Sequence, residues 1–149
     1  MTPLKRTIAA VLLVCAASVF AHLHVAAQTY YPVVRVQSPE GLTFIAVHEP
    51  TGERAACGEA NDRFLAPFKT MCKECRVVAA RCARDLQGIE VGLRDGSPMA
   101  HHRVLAPGLS VAIAGAQESA SLGCRDIVRK LAAEGIPSVA CLPPTSARR

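Results

Sequence analysis

Six cysteines, Cys57, Cys72, Cys75, Cys82, Cys124 and Cys141, lie beyond the first third of this 149-residue chain. Their meaning depends on the redox compartment. An even set in a small exported domain reads as a disulfide framework, whereas in a reducing compartment the same spacing suggests metal or catalytic use. The start of the chain decides between them. Lys5 and Arg6 precede an apolar run from Thr7 to Ala21, the basic-then-apolar order of a secretory signal peptide. Small residues offer cleavage after Ala21 or after Ala27, and the second is preferred because Gln28 opens a polar mature start. The rival reading is an uncleaved anchor, since residues 7–27 are about the length of a membrane span. His22, His24, the many alanines and the lack of a basic flank weigh against it. The seventh cysteine, Cys15, follows bulky Val14 and belongs to the apolar run rather than to a lipoprotein site.

The expected organisation is therefore a signal peptide or N-terminal membrane anchor over 1–27, one domain over 28–142, and a mobile tail over 143–149. Localisation is periplasmic or secreted, or outside the cytoplasm on a membrane anchor if the leader stays. About 122 residues suffice for one domain with one modest core. Without Lys5 and Arg6, fifteen Lys/Arg face twelve Asp/Glu, a net charge near +3. The charges are interspersed, which argues against a nucleic-acid footprint. Beyond the leader, aromatic residues are few (Tyr30, Tyr31, Phe44, Phe64, Phe68) and there is no Trp, so sugar stacking is poorly supplied.

Periodicity gives the elements. Residues 32–36 and 42–48 are β-branched and apolar around the turn Pro39-Glu40-Gly41, a hairpin. Phe64, Leu65, Phe68 and Cys72 share a helix face within about 59–72, with Asn61 or Asp62 as a cap and Pro67 as a kink or a first-turn residue. Residues 75–83 read as a strand. Ile89 to Leu93 alternates and is expected to pair with 99–105 across Asp95-Gly96. Residues 109–114 form a strand. Residues 119–134 form a helix capped by Ser119 or Ser121 and stopped by Gly135 and Pro137. Residues 138–142 close the order. The fold expected is a single α+β domain of two strand–helix–strand units with an intervening hairpin, a split βαβ layout with helices on one face of a sheet. LTFIAV and LSVAIA begin the two units as a faint internal repeat. In this layout Cys57 faces Cys82 and Cys124 faces Cys141 across a helix start and a strand end, and Cys72 pairs with Cys75 by elimination.

Signatures of chemistry are weak. The CxxC of Cys72 and Cys75 suggests thiol–disulfide exchange, but catalytic thiols of that type sit at a helix N-terminus. This pair follows its helix, at the negative end of the dipole. Zinc held by Cys72, Cys75, Cys82, His101 and His102 has partial ligand spacing. Adjacent histidines on a strand point to opposite faces, however, so solvated histidines are the simpler reading. Ser121 in Ser119-Ala120-Ser121-Leu122-Gly123 faintly matches a nucleophile elbow that lacks its first glycine, with His48 and Asp126 as conceivable partners. The loop from Gly115 to Ser119 precedes a helix, where anions bind backbone N–H groups, although Glu118 opposes this. No catalytic residue, metal or cofactor is assigned. The reading that remains is an exported, non-catalytic accessory or binding domain of the envelope, its partner an envelope protein or polymer, with membrane contact only through a retained leader. A redox-linked protein using Cys72 and Cys75 is the alternative, and a small hydrolase around Ser121 is the third.

Overall fold

A computed structural model describes residues 28–145. The expected leader, with Cys15 and both cleavage sites, lies outside the described residues, as do residues 146–149 of the expected tail. The elements run β1 (Tyr31–Gln37), β2 (Thr43–His48), α1 (Arg54–Met71), β3 (Arg76–Ala83), α2 (Ile89–Asp95), β4 (His102–Ala106), β5 (Leu109–Ala114), α3 (Gln117–Ala133) and β6 (Ala140–Leu142). All six strands join one sheet in the order β3-β1-β2-β5-β4-β6. Every neighbouring pair is antiparallel.

This order makes β2 parallel to β3 with β1 inserted between them, and β5 parallel to β6 with β4 inserted. Helix α1 makes the first crossover and α3 the second. The domain is thus α+β, with two split βαβ units. The units meet where β2 pairs with β5, Ile45 opposite Ala112. The offset from Ile45 to Ala112 also carries Cys57 to Cys124, so a pseudo-two-fold axis through this seam relates the halves.

The middle of the chain departs from the sequence expectation. Ile89–Asp95 is a short helix, not a strand, and the hairpin joins β4 to β5 around Pro107 and Gly108 instead of joining 89–93 to 99–105. Ile89 and Leu93 stand four residues apart, which puts both on one helix face, and both pack against Val33, Ile45, Val47 and Ala112. The Asp95-Gly96 signal marks the end of this helix, where Gly96 takes a left-handed conformation (φ 67°). Glu90 is buried yet satisfied. Its carboxylate accepts from Arg81 at 2.5 Å and from the Gln87 amide at 3.2 Å.

Both faces of the central strands are therefore covered, which explains their nearly continuous apolar runs. α1 and α3 lie over Val34, Val36, Phe44, Ala46, Val104, Val111 and Ile113, and α2 lies on the opposite face. The expected caps are not used. α1 begins after Glu53 and α3 after Ala116, neither with a side-chain cap, so Ser119 and Ser121 sit inside α3. Asn61 is inside α1 and donates to the Arg81 carbonyl at 3.1 Å, tying the helix to β3. α3 ends in a Schellman motif, with the Ile136 amide bonded to Leu131 O and the Gly135 amide to Ala132 O.

Three disulfides are formed among the described residues. Cys57–Cys82 joins α1 to β3, Cys124–Cys141 joins α3 to β6, and Cys72–Cys75 closes the turn after α1, with Cα separations of 5.9, 5.7 and 5.2 Å. The start of the expected tail is held, since Thr145 exchanges two hydrogen bonds with Met99 at 3.0 and 3.1 Å.

Loop length sets the stabilities. Removing Cys57–Cys82 (separation 25) or Cys124–Cys141 (separation 17) is expected to cost about 3 kcal/mol each, and removing Cys72–Cys75 (separation 3) about 2 kcal/mol or less. Urea unfolding of the three paired Cys→Ala variants checks this ranking. A Cys72/Cys75 variant as damaged as the other two contradicts it.

Candidate functional site

Each long helix covers its own half of the sheet. α1 packs on β1 and β3, and α3 on β4, β5 and β6. The β2–β5 seam between their footprints becomes the floor of a cleft of about 350 Å³. Its walls are Ala60, Phe64, Pro67 and Phe68 from α1 and Ile127 and Leu131 from α3, over Leu109 and Val111 of β5. Polar groups reach it from His48, Arg63, Lys130 and Glu134.

The aromatic residues of α1 build the wall. Phe64 and Phe68 are 5.2 Å apart between ring centroids, and Phe68 leans on Phe44 of the sheet at 6.0 Å. His48 ends β2 and meets the Phe64 ring edge-on at 5.3 Å. Its Nε2 is buried with no hydrogen-bond partner among the described residues. Burial, reinforced by repulsion from Arg63, holds its imidazole below the ordinary histidine pKa, so the ring is neutral at neutral pH. Pro67 sits in the fourth turn of α1, where its missing N–H leaves the Arg63 carbonyl without its helical donor. Among the described residues Arg63 makes no salt bridge, while Lys130 pairs with Asp126 at 2.8 Å.

The residues singled out by sequence are scattered. Cys72 and Cys75 are bonded to each other at the C-terminal end of α1. Cys82 is bonded to Cys57, so no ligand set of Cys72, Cys75 and Cys82 forms. Ser121 lines a shallow depression with His102, Gln117, Glu118, Leu122 and Arg125, but no hydrogen bond links it to a histidine among the described residues. Asp126 is engaged by Arg129 and Lys130, and His48 lies in the cleft instead. Gly115, at φ 147°, lies against Leu42, which a Cβ there would strike at 2.6 Å, so the loop before α3 is shaped by close packing. His101 and His102 diverge in environment. His102 is buried on the helix-bearing face of β4, near Cys124 and Cys141.

Sequence reading missed the cleft because its walls look like core. Phe64, Leu65 and Phe68 share one helix face, of the width that an ordinary core contact needs. Leu65 enters the core, and the two Phe rings are left half-buried along the opening. The same face serves for either role, so the chain carries no signal that separates wall from core. Comparison with protein-family models, with curated proteins and with solved structures finds no match.

The lowered His48 pKa has a stability consequence. The unfolded chain protonates His48 near the ordinary value while the folded chain resists, so stability falls as pH drops below about 6.5. Urea unfolding between pH 7.5 and 5 is expected to show this loss in the wild type and a flatter profile in His48→Gln. Identical profiles would exclude a buried neutral His48.

Proposed function

We propose that this chain is an exported, non-catalytic binding domain that takes a small amphipathic molecule, with an apolar body and an anionic head, in the cleft between α1 and α3. The observation that carries the reading is the cleft itself: about 350 Å³ of mainly aromatic and aliphatic walls with a few polar groups, a size and composition usual for small-molecule sites. Charge selects the head group. Arg63 has no salt-bridge partner among the described residues, whereas Lys130 is paired with Asp126 and Glu134 is the acidic group of the lining. An anionic head answers Arg63, and the body lies along Phe64, Phe68, Ile127 and Leu131.

Export supports this role. Three disulfides suit an oxidising, extracytoplasmic environment. The leader read at residues 1–27 would supply the route, to the periplasm or beyond it. No helix among the described residues is long and apolar enough to cross a membrane. An envelope molecule with an acyl or similar apolar portion is the ligand class that this placement favours.

Dodecanoate is a direct probe. The purified protein is expected to bind one equivalent by calorimetry. Ala60→Trp, which fills the cleft from α1, should abolish binding with the far-UV spectrum unchanged. Arg63→Gln should weaken dodecanoate about tenfold, the scale of one charge-assisted contact, and leave dodecanol unaffected. Undiminished dodecanoate binding by a folded Ala60→Trp protein contradicts the proposal.

A further inference from the structure

A second site lies in the C-terminal unit, independent of the cleft. We propose that His102, Cys124 and Cys141 form a redox-gated zinc site: closed as the disulfide is formed, and opened to Zn2+ when a dithiol reduces it. The three residues come from β4, α3 and β6, and their ligand atoms all lie within 4.8 Å of one another. In a tetrahedral site with Zn–S near 2.3 Å and Zn–N near 2.0 Å, ligand atoms stand roughly 3.3–3.8 Å apart, so small side-chain movements suffice once the S–S bond is broken.

His102 is the independent pointer. It is 8% exposed, and neither Nδ1 nor Nε2 has a hydrogen-bond partner among the described residues. Buried polar atoms are normally partnered, and each one left bare carries a desolvation penalty. The pseudo-symmetry supplies an internal control. His102 stands opposite Ile113 on β4, and the matching position in the first unit, opposite Ala46, is Val34, which is fully buried. The architecture is thus satisfied by an apolar side chain at this position, and the C-terminal unit carries an imidazole beside its disulfide instead. Two thiolates, a neutral imidazole and Zn2+ sum to zero charge, which suits a buried location better than the net negative site that Cu+ would leave. A depression of about 140 Å³ lined by His101, His102, Gly115, Gln117 and Ala120 offers room for a fourth ligand, a water or the neighbouring imidazole.

Gating follows from burial. Cys124 is fully buried and Cys141 only partly, so the first thiolate of a dithiol attacks Sγ of Cys141 and releases the Cys124 thiolate. The second thiolate of the dithiol then attacks its own bound sulfur, forming a cyclic disulfide and releasing the Cys141 thiolate. Two electrons pass from the dithiol to the protein. The two protons that the dithiol loses go to Cys124 and Cys141, and to solvent when Zn2+ replaces them. In the oxidised protein Cys124 Sγ rests 3.4 Å from the Arg103 carbonyl oxygen, a contact that becomes a hydrogen bond donated by the thiol on reduction.

The test uses a Cys72→Ser/Cys75→Ser protein, so that the CxxC does not compete, reduced with a phosphine under anaerobic conditions. Co2+ is expected to bind at one equivalent with the visible d–d and sulfur-to-metal bands of a tetrahedral thiolate site, and Zn2+ to displace it. The oxidised protein should give no such bands. His102→Val, which installs the residue type of its counterpart Val34 and keeps the core filled, should remove the bands or weaken Zn2+ at least tenfold; His48→Gln, in the separate cleft, should change neither. Bands that survive His102→Val, bands of equal strength in the oxidised protein, or binding of Cu+ but not Zn2+ overturn the proposal. So does a reduced protein that unfolds by circular dichroism and is not refolded by Zn2+.

Discussion

Sulfur bonds hold the two outermost strands to the helices above them, and much else in the molecule depends on that attachment. β3 leaves most of its side chains in solvent, and β6 has only three residues. Burial holds each of them only in part, through Ala83 of β3 and the half-buried residues of β6. Each has one neighbour for its backbone hydrogen bonds and one disulfide to the helix of its own unit. The helices are thereby drawn toward the outer half of each unit, and the seam at the centre of the sheet is roofed only from its sides. The cleft is what this arrangement leaves. The exposed edge of β3 is also blunted, by Arg76 and Arg81 and by a bulge opposite Arg35 and Val36, which discourages pairing with another chain.

The layout could be read from the sequence where a single signal controlled an element. Five-to-seven-residue β-branched runs became β1, β2 and β5, and Gly135 closed α3 as its position implied. Failure came where two signals competed. Ile89 to Leu93 alternates in hydropathy, yet Ile89 and Leu93 also satisfy helical spacing. The short helix won because it places both on the bare face of β2 and β5, where a strand would have had no neighbour to pair with. Capping was misjudged for a related reason. Asn61 and Ser121 have the chemistry of caps, but the helices extend past them, with the buried, disulfide-bonded Cys57 and the core residue Ala120 already inside them.

The site was less legible than the fold. A cleft wall and a core are made of the same residues, and only the relative placement of two helices distinguishes them. His48 attracted notice as a conceivable base, and its surroundings show an imidazole kept neutral between Phe64 and Arg63. His102 attracted notice for zinc together with Cys72, Cys75 and Cys82, which are bonded as Cys72–Cys75 and Cys57–Cys82. The sulfurs near it in sequence are engaged elsewhere, and those beside it in space arrive from α3 and β6. Spacing along the chain cannot reveal a cluster assembled by a crossover.

The pseudo-two-fold seam has a meaning for assembly. Antiparallel pairing of β2 with β5 around Ile45 and Ala112 joins two like units edge to edge, the way identical subunits join across a symmetric sheet interface. The strand order places two units of like topology symmetrically about this seam within one polypeptide. Covalent linkage spares it the translational entropy that separate subunits lose on meeting, so the seam holds at any dilution. It also frees the two copies to differ, with valine kept at position 34 while histidine stands at 102.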